Sequence, residues 1–267
     1  MELAWLTDIH LNFLNRDMRS NFYQEIISTT CDAVLISGDI AEASTLVKLL
    51  NEMLEAIKRP IYFVLGNHDY YRGQIQEVKQ AMMTLSKENN QLHWLPASGM
   101  QKLDNNIILL GQDGWADGRL GDYANSRISI NDNRMIADLF QEKIIGKFQL
   151  LDKMQQLADA DAMKLQNDLK QAVSQQPRKI IVLTHVPPFK EACLHEGKVS
   201  DDDWLPYFSS KATGDVLTTV AQQNPEIEFL VLCGHTHSEA NVYYGNLAIE
   251  VGKAEYCQPE IQKILQI

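Results

Sequence analysis

Six short runs of this chain are apolar at consecutive positions: "LAWLT" (3–7), "AVLIS" (33–37), "IYFVL" (61–65), "NIILLG" (106–111), "KIIVLT" (179–184) and "EFLVLC" (228–233). A strand with one face in water alternates apolar and polar side chains, whereas consecutive apolar side chains need cover on both faces. Helix-like stretches lie between the runs. Leu46, Leu49, Leu50, Met53 and Leu54 recur at the three-and-four spacing of one helix face over 43–58, and helices are also predicted at 17–30 and 74–89. Strands alternating with helices predict an α/β architecture with sheets covered on both sides. Two later runs, "NVYY" (241–244) and "LAIEV" (247–251), flank a "YGN" turn and predict a hairpin, so the sheets are mixed.

The stretch 131–176 is rich in Gln, Asp, Lys, Leu and Met and is closed by Pro177. It predicts one or two long helices, with Asn131 or Asp132 as cap and the Met and Leu stripe as core packing. Residues 186–210 are predicted to form a long irregular connection, of the kind that often carries function. No internal repeat or linker divides the 267 residues. The chain is expected to form a single domain, 1–267, with a helical insertion at about 131–176.

Five of the predicted strands end in the same chemistry. "LAWLT" is followed by Asp8 and His10, "AVLIS" by Gly38 and Asp39, and "IYFVL" by Gly66, Asn67, His68 and Asp69. "KIIVLT" is followed by His185, and "EFLVLC" by Gly234, His235 and His237. Singly, each has an ordinary structural explanation: a helix cap, a turn or a hydrogen-bonded core histidine. Together they place imidazoles, carboxylates and an amide at the carboxyl ends of parallel strands, where α/β sheets bind ligands. Such a mixed N/O donor set suits borderline divalent metals: Mn, Fe, Zn, Co or Ni.

D-x-H, G-D, G-N-H-D, a later single His and G-H-T-H, in this order over residues 8–237, resemble the calcineurin-like metallophosphoesterases. The resemblance implies a four-layer sandwich of two mixed β-sheets flanked by helices. It further implies two divalent metal ions, one bound by Asp8, His10 and His237, the other by Asn67, His185 and His235, with Asp39 bridging them. The implied chemistry is phosphate-ester cleavage by a hydroxide shared between the ions. By the same resemblance His68 faces the substrate and protonates the departing oxygen. Its orienting carboxylate is often an Asp three residues after the bridge. Here Glu42 stands there, so the partner is Glu42, Asp69 or neither. The arginine that clamps phosphate in the protein phosphatases of the family is also missing, since "GDIAEAS" has Ala43 and Ser44 there. Arg119 and Arg127 are the candidate clamps, or else solvated surface charges. His195 and residues 201–208 are candidates to shape the substrate pocket.

Charge and composition narrow the function further. Lys and Arg number 24 against 35 Asp and Glu, a formal charge of −11, which disfavours a broad nucleic-acid footprint and with it a nuclease. No apolar run reaches the roughly 18 residues of a membrane span, and "MELAWLTDIH" has no basic n-region or cleavage site, so no secretory signal is expected. The four cysteines have no close spacing and are expected as reduced thiols in a cytoplasmic protein. The expected function is metal-dependent hydrolysis of a small phosphorylated metabolite, monoester or diester. The alternatives are a nucleotide or cyclic-nucleotide phosphodiesterase and, outside the enzymes, a non-catalytic interaction scaffold on the same fold.

Overall fold

The computed structural model describes all residues from 1 to 267. The apolar runs become strands β1 (Glu2–Leu6), β2 (Ala33–Ser37) and β3 (Ile61–Val64), joined by helices α1 (Arg16–Ser28) and α2 (Ala43–Ile57). Helix α3 (Ile75–Glu88) leads to β4 (Leu92–Trp94), a four-residue helix α4 (Leu95–Ser98), β5 (Gln101–Lys102) and β6 (Ile107–Gly111). Three helices follow: α5 (Asp132–Met135), α6 (Ala137–Ile145) and α7 (Lys147–Val173), then β7 (Lys179–Leu183). A small hairpin, β8 (Leu194–His195) and β9 (Lys198–Val199), precedes α8 (Leu205–Phe208) and α9 (Lys211–Gln223). The chain closes with β10 (Glu228–Cys233), β11 (Ala240–Tyr244), β12 (Leu247–Val251) and β13 (Lys263–Gln266).

Two mixed sheets result. The first has the order β13-β1-β2-β3-β4, parallel except for β13. The second has the order β11-β12-β10-β7-β6-β5, parallel through β12, β10, β7 and β6, with antiparallel edges. Successive side chains along a strand point to opposite faces, which explains why these strands are apolar throughout. In the first sheet Leu3, Trp5 and Leu35 pack towards Leu109, Ile181, Leu183 and Leu232 of the second sheet. Their neighbours Leu6, Val34 and Ile36 pack instead with Phe22, Leu46 and Leu50 of the outer helices. On the far side Val182, Phe229 and Val231 meet Leu165 and Leu169 of α7 and Leu217 of α9. Helices, sheet, sheet and helices thus form four layers, as the family resemblance implies.

Several elements depart from the predicted order. Residues 131–176 hold three helices, because extended Ile136 (φ −98°, ψ 118°) separates α5 from α6 and Gly146 (φ 167°, ψ 167°) separates α6 from α7. The predicted irregular connection 186–210 contains the β8–β9 hairpin and α8. Helix α9 has no predicted counterpart. Its "KATGDVLTTVAQQ" holds three Thr, two Val and one Gly, weak helix formers, and it is held by packing of buried Thr213, Gly214 and Leu217. The edge strands β4, β5 and β13 are also unpredicted, being only two to four residues long.

Leu109 is fully buried between the sheets, away from the strand ends. Leu109→Ala is expected to cost about 2–5 kcal/mol, read as a lower urea midpoint with unchanged slope. A loss below about 1 kcal/mol would show that the inter-sheet layer is not tightly packed there.

Candidate metal centre

The side chains following β1, β2, β3, β7 and β10 meet at one edge of the sandwich. They get there because the backbone turns left-handed where the strands stop: Asp8, His10, Asp39, His235 and His237 have φ of 48°, 39°, 52°, 73° and 56°. Main-chain bonds fix these turns, from Asp8 N–H to the Gly38 carbonyl and from His10 N–H to the Asp39 carbonyl, each 3.0 Å. Two glycines leave room. A Cβ on Gly66 would collide with Asp39 Oδ1, and one on Gly234 with Asp8 Oδ2.

Two groups of donors form. In the first, one ligand atom from each of Asp8, His10, Asp39 and His237 lies within 4.8 Å of the others. His237 Nε2 is 3.2 Å from Asp8 Oδ1 and 3.4 Å from His10 Nε2. In the second, Asn67 Oδ1 is 3.1 Å from His185 Nε2 and 2.9 Å from His235 Nδ1. Asp39 belongs to both, with Oδ2 3.9 Å from His10 Nε2 and Oδ1 3.4 Å from His185 Nε2. All seven sequence-predicted donors are therefore brought together.

The hydrogen bonds around these donors determine which atoms present lone pairs. A carbonyl only accepts, so His185 carries its proton on Nδ1, which donates to the Ser37 carbonyl at 2.9 Å. His235 likewise donates Nε2–H to the Tyr207 carbonyl at 2.9 Å. Distal N–H groups held in this way orient metal-ligating histidines. Burial holds the His235 pKa down, so its Nδ1 is a lone pair facing the Asn67 oxygen at 2.9 Å. Two acceptors at that distance repel unless a positive charge lies between them. The donor set therefore fits a cation.

The remaining charges follow the same field. Burial opposes ionisation of Asp39, yet His185, His68 and His10 hold its carboxyl well below the usual range. Burial likewise opposes a charge on His185, but Asp39 and then Asp8 raise its pKa to about 10. Burial brings His10 down to about 4. His237 is raised despite burial, because Asp8 lies beside it.

His68 lies against the donors. Its backbone N–H donates to Asp39 Oδ1 at 2.8 Å, its Nε2 is 3.9 Å from Asp39 Oδ2, and its ring stacks on Tyr71 at 4.2 Å. Its Nδ1 is buried without a hydrogen-bond partner. Neither Glu42 nor Asp69 is hydrogen-bonded to it. Glu42 pairs with Arg72 at 3.5 Å. Asp69 accepts from the N–H groups of Ile40, Ala41 and Gly66 and ties the loops after β2 and β3 together. Arg119 is engaged by Asp117 and Asp159, Arg127 is exposed, and neither lines the cleft over the donors. His195 does line that cleft, which holds about 650 Å³.

Asp132 caps no helix. Its Oδ1 accepts from Asn67 Nδ2 at 2.8 Å and from the Tyr71 hydroxyl at 2.6 Å. The bond fixes the Asn67 amide, so that its oxygen faces His185 and His235. Sequence reasoning missed this role, since an Asp at the start of a helical stretch looks like a cap. It also missed Tyr256, whose ring is 4.9 Å from His10 and 5.2 Å from His237.

The sequence model for calcineurin-like phosphoesterases matches residues 1–239. The fold is similar to that of a phosphopantetheinyl hydrolase from Mycobacterium tuberculosis (TM-score 0.61, 15% identity, covering 96% of this chain and 89% of that one). It is also similar to a dimetal phosphatase from Danio rerio (TM-score 0.58, 11% identity, 94% and 86%). A protein from Thermus thermophilus gives a TM-score of 0.54 at 14% identity, covering 94% of this chain and 89% of that one. Comparison with curated proteins finds no match.

If Asp132 fixes the Asn67 amide, Asp132→Ala weakens Mn²⁺ binding about 10–100-fold, the usual cost of losing an outer-shell partner. Isothermal titration measures this. Unchanged affinity would show that Asn67 keeps its orientation unaided.

Proposed function

The chain belongs to the calcineurin-like phosphoesterase family, whose members depend on two metal ions, and on that premise we propose that it hydrolyses a phosphate ester of a small phosphorylated metabolite. The observation that carries the proposal is the pair of donor groups that share Asp39. In this reading Asp8, His10 and His237 would hold one divalent ion and Asn67, His185 and His235 the other, with Asp39 shared between the two groups. When bound, the two ions supply Lewis-acid activation of water and neutralise charge on the phosphoryl group.

The chain's own residues do the rest. Asp39 offers one oxygen to each donor group. Asn67, held by Asp132, contributes a neutral oxygen and so leaves the centre positive enough to attract a phosphate. His68 moves the proton, with its imidazole on the leaving-group oxygen. Its ring is held by stacking on Tyr71 and by the His68 N–H bond to Asp39. The expected orienting carboxylate is thus replaced by a ring face and a main-chain anchor. Arg72, paired with Glu42, is the cation that lines the adjoining cavity beside His68. The complete donor set weighs against a scaffold that has lost catalysis. A cytoplasmic setting belongs to the same reading, on the sequence spacing of the four cysteines.

Protein assayed with Mn²⁺ is expected to hydrolyse a nitrophenyl phosphate mono- or diester. Binding of two ions without turnover of any ester in a broad panel would sink the proposal. Asp39→Asn should lower both metal content, measured by elemental analysis, and rate. His68→Ala should lower kcat about 10²–10⁴-fold, more on alkyl than on nitrophenyl esters, because poor leaving groups need the proton. Equal losses on the two would refute the proton-donor role.

A further inference from the structure

The cleft over the metal donors opens sideways into an annex. His195, Glu196, Trp204 and Phe208 line both the cleft and a second cavity of about 430 Å³. A ladder of rings leads outward from the donors. The edge of Phe208 meets His235 at 5.6 Å and 85°, and Trp204 stacks on Phe208 at 5.3 Å and 22°. Phe208 takes one face of Trp204, and the indole is still 39% exposed. The β8–β9 hairpin forms the opposite wall, turning at Glu196 and Gly197 with φ of 49° and 76°. It lines the annex with an imidazole, a carboxylate and an ammonium, those of His195, Glu196 and Lys198. Ser200 Oγ, in the same wall, is buried with no hydrogen-bond partner.

We propose that this annex receives the organic part of the substrate, and that this part is a planar heteroaromatic ring with hydrogen-bond donors and acceptors on its edge. That is the chemistry of a nucleobase, so the substrate is a nucleotide-like phosphate ester; the inference rests on the phosphoesterase reading above. The open face of Trp204 stacks on the ring. The imidazole, carboxylate and ammonium of the hairpin wall meet its edge. The cleft, at about 650 Å³, and the annex, at about 430 Å³, are each of a size that encloses small ligands. A small acyclic polyol phosphate would leave the indole face unused.

Binding and turnover test this separately. Trp5, Trp94 and Trp115 are buried, so a ligand stacking in the annex alters mainly the fluorescence of Trp204. Adenosine is expected to quench the full-length protein saturably, ribose is not, and Trp204→Leu should abolish the quench. With Mn²⁺, kcat/KM for adenosine 5′-monophosphate should exceed that for ribose 5-phosphate by about 10-fold or more, the usual scale of a base–aromatic stack. Trp204→Leu should erase that ratio, and Trp204→Phe should keep most of it. Absence of an adenosine quench, or an equal quench in Trp204→Leu, overturns the annex proposal, as does equal turnover of the two esters. Failure of the phosphoesterase reading looks different: neither ester turns over while the adenosine quench persists.

Discussion

The hydrogen bond from His185 Nδ1 to the Ser37 carbonyl joins the two sheets at the edge where the donors gather. His185 follows β7 of one sheet, and Ser37 ends β2 of the other. Asp8, His10, Asp39 and Asn67 come from the first sheet, His185, His235 and His237 from the second. Each of the two donor groups draws on both sheets. The apolar layer between the sheets sets their spacing, and this bond sets which strand ends face each other. It also fixes the imidazole so that Nε2 points at Asn67 and Asp39. One contact thus links packing, tautomer and site geometry.

Around that junction, negative and lone-pair groups are concentrated where water is excluded. Low local dielectric strengthens every interaction there, favourable or not. Asp39 and Asp8 favour a proton on His185 and raise its pKa to about 10 despite burial. A divalent ion must displace such protons, so metal binding and proton release are coupled. Asp132 adds a further constraint from outside the donor set, because it fixes which end of the Asn67 amide is offered. Tyr71 shares that carboxylate oxygen and supports the ring of His68, so the second donor group and the proposed proton donor rest on one anchor.

The parts legible in the sequence are those written in local pattern. Consecutive apolar runs revealed doubly covered strands, and polar residues immediately after them revealed the shared edge. Asp132 was not legible, because its partner Asn67 lies 65 residues away and its local context looks like a helix start. Glu42 and Asp69 were candidates to orient His68 by proximity in sequence, but a nearer cation and three backbone N–H groups hold them. Arg119 fails as a phosphate clamp for a similar reason, since two aspartates already satisfy it. Tyr256 reaches the centre from beyond the last predicted strand, where no periodicity marks it.

The left-handed turns at the strand ends have a bearing on how such a chain drifts under mutation. Five donor residues hold a backbone conformation that costs a side-chain-bearing residue about 1 kcal/mol or more. Glycine at any of them would relieve that strain and remove a donor in the same step. At His10 and His237, whose side chains hold no main-chain group, selection for stability alone would favour that exchange and leave the sandwich intact. The fold does not preserve the centre at those two positions, and only a demand for its chemistry keeps His10 and His237 in place.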